Sequence, residues 1–456
     1  MLLIYVPKMT NRLGYTINVV MRDILQTEFA ITTDADTFEH HTQAKLCYAP
    51  QPMGGTDSIF LKSSHLLFET VIGEQECHPF DWDGTPAIFP VFHKDSALPF
   101  DPFAAIFYML SRYEEYLPHR KDQHGRILYT ETLAYKNGFL QTPVVERWAL
   151  IIKDLILSRY PDTVFIKRSF SFEPTIDIDS AYCYMHKGVF RTCLGILRDG
   201  IHRHDLSEVR HRIRTLRKKE EDPYDTFDYI ISLNQQYRFQ LIFFALLGDY
   251  SMYDKPISYL NNEFRQLLQH IGDHSKVGIH GSYDSALEPK RLEQEIQRLS
   301  DILHRPIYRN RYHFLRFTLP RGYSNLEKLG ITQDYTMGFA DQPGFRNGSC
   351  SALPFFHLSR NQEINLNVHP FITMDTTFHT HMKLTPEEAI KQYHILIDEV
   401  KAVDGTFSCI FHNQNLCEQF GWEGWRAVYE DVQQYAYQNT QNTNKNTKDN
   451  IDLEND

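Results

Sequence analysis

Short apolar runs alternate with amphipathic stretches through the second half of the chain. The runs 174–179 (PTIDID), 240–247 (QLIFFALL), 277–281 (VGIHG), 313–319 (HFLRFTL), 363–371 (EINLNVHPF) and 407–413 (FSCIFHN) are rich in β-branched and aromatic residues and predict strands. Between them, 226–237, 261–271, 289–303, 324–330 and 386–403 space their apolar residues as helices do. Strands alternating with helices predict a parallel α/β sheet, open or closed into a barrel, with chemistry at the C-terminal strand ends. Residues 1–162 predict a smaller α/β domain, with strands at 2–7, 58–64 and 87–93 and helices at 18–27, 101–116 and 142–158. The 101–116 helix has the clearest start, with Asp101 as N-cap and Pro102 in its first turn. The main domain spans 163–437, and the polar, low-complexity 438–456 predicts a disordered tail.

Composition narrows the function classes. The chain has 456 residues, 42% of them hydrophobic, enough for real cores. With 47 Lys and Arg against 58 Asp and Glu, the net charge of -11 disfavours a nucleic-acid partner. The basic stretch 202–219 departs from that average. A solvated helix face is its favoured reading, and peripheral contact with an anionic membrane or lipid-linked glycan is the functional one. The 7 cysteines are dispersed without a C-x-x-C pair and read as reduced thiols. The first apolar run is broken by Pro7 and Lys8, and no run approaches the ~20 residues of a spanning helix. A cytoplasmic location is the expectation; no feature sets an oligomeric state.

Candidate chemistry gathers at the predicted strand ends. On a strand, Thr175, Asp177 and Asp179 project to one side, and two carboxylates so close call for a cation or a shared proton. Surface acids at a strand end are the bland alternative. His280 and Asp284, if helically spaced, join Asp179 in gripping one ion while leaving positions open for water and substrate; a hydrogen-bonded structural histidine competes with that reading. His412 is placed to donate a proton to a leaving group, with Asp375 as its partner. Arg311 either orients a catalytic carboxylate or satisfies a buried acid. Tyr283, and Asp334 and Arg346 around the glycine-punctuated run GFADQPGFRNGS, are candidates for substrate contact, with loop packing the equal alternative. In the N-terminal part, the turn holding Asp122, His124 and Arg126 reads as solvated, and the aromatics around Asp81 and Asp83 as loop anchors.

The order Thr-x-Asp-x-Asp, His-x-Ser, Arg-x-x-aromatic and Phe-His resembles the polysaccharide deacetylases of the NodB-homology group, carbohydrate esterase family four, over roughly 163–437. The runs GITQDYTMGFADQPGFRNGSC and HPFITMD resemble a divergent bacterial subgroup with an extra N-terminal α/β domain. The resemblance implies a distorted (β/α) barrel, Asp177 as general base, Asp179 and His280 as metal ligands and His412 as acid. In H-G-S-Y-D, Asp284 stands where the family has a second histidine. In Arg311-Tyr312-His313-Phe314 the family's proline is missing.

The combined expectation is a metal-dependent hydrolase removing an acyl group, N-acetyl first, from an amino sugar. Zinc is the first choice of ion, and the carboxylate at 284 makes manganese a competitor. The rivals are a catalytically silent carbohydrate-binding or assembly protein on the same fold and a metal-free glycosidase.

Overall fold

The computed structural model describes residues 1–53, 57–202 and 206–453, with residues 200, 202 and 442–453 described by their backbone alone. In the N-terminal part, β1 (Leu2–Tyr5), β2 (Phe29–Thr32), β3 (Lys45–Ala49) and β4 (Ile59–Lys62) form a parallel sheet in the order β2-β1-β3-β4. A short hairpin of β5 (Phe80–Trp82) and β6 (Thr85–Ala87) follows, and the strand predicted over 87–93 is reduced to its first residue and an isolated bridge at Pro90. The helix expected over 18–27 begins earlier, at Asn11–Asn18 on a Thr10 cap, and continues as a wider turn, Val19–Ile24. Asp101 caps helix Pro102–Leu110 by accepting the Ala104 N–H, and it also accepts the Tyr48 hydroxyl at 2.8 Å. That helix stops short of 116 because Arg112 takes a left-handed conformation, φ 52°.

The second part is built on nine strands: β7 (Ser171–Ile178), β8 (Ile242–Leu246), β9 (Lys276–Gly281), β10 (Arg309–Tyr312), β11 (Gln333–Asp334), β12 (Leu353–His357), β13 (Gln362–Val368), β14 (Thr373–Met374) and β15 (Thr406–His412). Their order is β12-β13-β11-β10-β9-β8-β7-β15-β14, and every pair is parallel except β12 with β13. Ile176, Ile178, Phe243, Ala245, Val277 and Ile279 pack into the same core as Ile230, Leu268, Leu299 and Ile397 from the helices. The alternate positions, including Thr175, Asp177 and Phe244, face the other way.

That second face is strongly concave. Phe244 on β8 lies 5.1 Å, centroid to centroid, from Tyr335 just after β11, although β9 and β10 separate their strands. A flat sheet would hold them about 14 Å apart, three strand spacings. Gly278 permits the curl, since a Cβ there would come 2.6 Å from the Phe244 ring. The expected barrel closure is not made: β12 and β14 are the two ends of the sheet and do not pair. The reason is visible at β12, whose Leu353 and Phe356 pack into the N-terminal core while Tyr15 donates its hydroxyl to Pro354 O at 2.8 Å.

The final helix runs Trp425–Leu453, so the backbone is helical well into the stretch expected to be disordered. Val428, Tyr429, Val432 and Ala436 anchor it, and no proline or glycine follows to stop it. The basic stretch 202–219 contains helix Leu206–Leu216, and its residues 203–205 lie outside the described residues. Among the described residues no helix is long and apolar enough to cross a membrane.

A buried ion cluster joins the two parts. Glu115 accepts from Arg346 through both oxygens, at 2.9 and 2.7 Å, and from Arg112 at 2.8 Å, while Arg112 also donates to Arg346 O. Burial alone would raise the Glu115 carboxyl, but the two guanidinium groups hold it down at about 2. Arg346→Ala is expected to destabilise the protein by about 3 kcal/mol, the low end for breaking a buried pair because Arg112 still faces Glu115. Urea unfolding checks this.

Candidate metal centre

Parallel register delivers the polar residues to one rim. Asp177 lies beside His412 across β7 and β15, and His280 lies beside Arg311 across β9 and β10. All four are at the C-terminal ends of their strands. His313 follows β10, where Phe314 and Leu315 turn the chain away in left-handed conformations, φ 58° and 53°. Sequence periodicity places a strand at 313–319; in the structure the strand is Arg309–Tyr312 and a tight turn follows, which leaves His313 at the rim.

Three histidines are oriented in one manner. His280 Nδ1 is 2.9 Å from Arg311 O, His313 Nδ1 is 2.7 Å from Asp254 Oδ1, and His412 Nδ1 is 2.8 Å from Asp375 Oδ1. A carbonyl or carboxylate oxygen accepts only, so each Nδ1 carries a proton and each Nε2 is turned inward. His280 Nε2 and His313 Nε2 lie 3.3 and 3.5 Å from Asp179 Oδ1, and His412 Nε2 lies 3.9 Å from Asp179 Oδ2.

Asp179, His280 and His313 bring three ligand atoms within 4.8 Å of one another. Asp179 Oδ1 is buried and makes no hydrogen bond. Two imidazole lone pairs facing an unpartnered carboxylate oxygen repel unless a proton or a cation lies between them. The donor set of two nitrogens and one oxygen, with its ring nitrogens braced from behind, fits a zinc-type divalent ion.

The charges answer one another. Burial would lift the Asp179 carboxyl, but the charge of His313 and the close approach of the His280 and His412 rings hold it well below the usual range. Burial would lower His313, yet Asp179 and Asp254 push it up to about 9. Burial likewise opposes protonation of His412, and Asp375 foremost overcomes it, raising that ring to about 10.

Beneath the cluster, Arg311 Nη1 donates to Asp177 Oδ1 at 2.7 Å and to Thr175 Oγ1 at 2.8 Å. Its Nε donates to Tyr335 O at 2.9 Å, and its guanidinium carbon stacks 4.4 Å from the Phe244 ring centre. Asp177 Oδ2, 3.7 Å from His280 Nε2, is the oxygen left beside the cluster.

Several sequence candidates fall elsewhere. Asp284 is no part of the cluster: its carboxylate is 48% exposed and lies 3.5 Å from Arg316. His280 is still in β9, and a turn rather than a helix follows, so the one-face spacing is never formed; His313 fills the place intended for Asp284. Asp334 is fully buried and accepts from Asn310 at 3.0 Å and Thr336 Oγ1 at 2.7 Å. Arg346 is committed to Glu115, because its loop turns toward the N-terminal part. Tyr283 is buried behind the rim: its hydroxyl is 3.0 Å from His124 Nδ1, its ring stacks on Tyr253 at 4.1 Å, and Arg316 lies over it at 3.9 Å.

The turn read as solvated also belongs here. His124 and Arg126 line the cavity of about 230 Å³ that holds Asp177, Asp179, His280, His313 and His412. Arg126 donates to Phe314 O at 2.8 Å and pairs with Asp122 at 2.6 Å. His313 carried a usable signal, an imidazole two positions after Arg311 in a chain whose second motif lacks one. Asp254 and the 122–126 turn carried none, because both reach the site only through folding.

Residues 2–161 match a family described as a family of unknown function (DUF7033). No curated protein matches the chain. Among solved structures, a polysaccharide deacetylase candidate from Mycobacterium smegmatis is similar at 13% identity and TM-score 0.36, covering 58% of this chain and 82% of its own. An allantoinase is similar at 12% identity and TM-score 0.35, covering 59% and 83%. A polysaccharide deacetylase from Bacillus cereus is similar at 9% identity and TM-score 0.30, covering 59% and 88%.

Purified protein dialysed against zinc is expected to retain one equivalent by elemental analysis. Asp179→Ala and His313→Ala should lose it, and Asp284→Ala should keep it. His313 must shed its proton to ligate, so zinc affinity should fall as pH drops below about 9.

Proposed function

We propose that the chain is a metal-dependent hydrolase that removes an acyl group, N-acetyl foremost, from an amino sugar in a glycan or glycan precursor. The observation that supports this most is the meeting of Asp177, the Asp179–His280–His313 cluster and His412 in one cavity. A divalent ion in that cluster supplies Lewis-acid polarisation of an acyl carbonyl. Asp177 is the general base: Arg311 fixes one carboxylate oxygen, and the other accepts the proton of the attacking water. His412 is the general acid. Its Nε2 proton passes to the departing nitrogen as the C–N bond breaks, and Asp375 holds the ring through Nδ1 while accepting the His412 backbone N–H at 2.9 Å. Tyr253 and Phe314 present aromatic surface at the mouth, where a sugar can stack.

The departure at Asp284 favours one rival, a silent binding protein on the same fold, which predicts no retained metal. The His313 nitrogen at the same cluster supports the active reading.

Asp177→Asn is expected to lower kcat on an N-acetylated amino-sugar oligomer by about 10²–10⁴-fold while leaving bound metal unchanged. The active form needs His412 protonated, so the rate should decline as pH rises through its raised pKa. Asp375→Asn removes the charge that raises it and should move that alkaline limb to lower pH. A pH–rate profile of both proteins measures the shift.

A further inference from the structure

A second, larger cleft of about 790 Å³ opens from the metal cluster and shares Asp179, His313 and Phe314 with the inner cavity. Its walls run against the charge of the molecule. Lys187, Arg191, Arg198, Arg212 and Lys255 line it, against Asp179 and Glu208, in a chain whose net charge is -11.

The cations differ in how they are held. Arg198 and Arg212 pair with the buried Asp199, and Arg212 also stacks 4.5 Å over Tyr184. Arg191 is fixed by the Pro256 carbonyl at 3.0 Å and by the Tyr250 ring at 4.7 Å, neither of which neutralises it. Lys187 makes no hydrogen bond or ion pair among the described residues. Burial first, then the charges of Arg191 and Arg212, pull its ammonium down to about 8, and Cys183 and Asp222 offset this only in part. Among the described residues neither Lys187 nor Arg191 has a paired carboxylate, an arrangement that a bound anion relieves.

We propose that this outer cleft is a subsite for a phosphate or diphosphate group on the substrate, with Lys187 and Arg191 as its principal contacts. As a statement about the substrate, the proposal rests on the hydrolase reading; as a statement about anion binding, it does not. Because the two cavities meet at Asp179, His313 and Phe314, a sugar seated against Phe314 with its acyl group toward Asp179 leaves the outer cleft for a phosphate that it carries. The phosphate has two possible carriers, a soluble sugar or a lipid. A lipid carrier would meet the exposed residues Phe190, Leu194, Leu197 and Ile201, which recur at helical spacing on the segment that gives Leu194 and Arg198 to the cleft.

Calorimetric titration of the metal-free full chain with inorganic pyrophosphate tests the subsite. Wild type should bind, Lys187→Ala and Lys187→Gln should each weaken binding about tenfold or more, and Lys187→Arg should preserve most of it. Asp179→Ala should bind pyrophosphate at least as well as wild type, so loss of the metal function leaves the anion site measurable. Absence of binding to wild type, or binding by both neutral Lys187 variants as tight as that of wild type, overturns the proposal. Co-sedimentation with phosphatidylcholine vesicles containing a polyprenyl diphosphate separates the carriers: capture assigns a lipid, and pyrophosphate binding without capture assigns a soluble sugar phosphate.

Discussion

The buried pair of Arg311 and Asp177 sets the terms for the rest of the site. Their side chains are 0% and 4% exposed, and a charge so far from water persists only with a partner in place. Arg311 finds its partners on strands that are not its neighbours: Thr175 and Asp177 on β7, and Phe244 on β8. Satisfying one guanidinium therefore requires the sheet to curl. The curl brings the strand ends together, and the strand ends carry the histidines.

Around that pair the same device is used three times. A ring nitrogen is tied to an oxygen behind it, which fixes the tautomer and turns the other nitrogen toward Asp179. The oxygens come from a backbone carbonyl of the next strand, from Asp254 in a loop and from Asp375 directly after β14, so the cluster is braced by the scaffold rather than by its own members. What distinguishes the rings is their second neighbour. His280 and His313 converge on one oxygen of Asp179, while His412 stands beside the other with Asp375 at its back. All three ring nitrogens thus stand within 3.9 Å of one carboxylate.

The N-terminal part is structurally continuous with this chemistry. It takes over the β12 edge of the sheet, which prevents strand closure, and it sends His124 and Arg126 into the cavity. Arg346, Arg112 and Glu115 lock the two parts together away from solvent. A loop that reads as a substrate-binding element from its glycines and charges thereby becomes a fastening, because its charged residue meets a buried carboxylate before it can meet a ligand.

The alternation of strands and helices, the carboxylates at 177 and 179, and the terminal histidines at 280 and 412 were legible in the chain itself. Each is a local property: period two or 3.6, and a polar residue closing an apolar run. Asp284, Asp334 and Arg346 were misplaced, and His313, Asp254 and His124 were passed over, for a common reason. Whether a charged side chain reaches a site depends on where its segment ends and on which buried partner claims it first. Local patterning therefore determined the class of fold and two of the three members of the cluster. The tertiary structure alone decided which imidazole completes the cluster, because that choice rests on contacts between strands and loops far apart in sequence, made only once the sheet has curled.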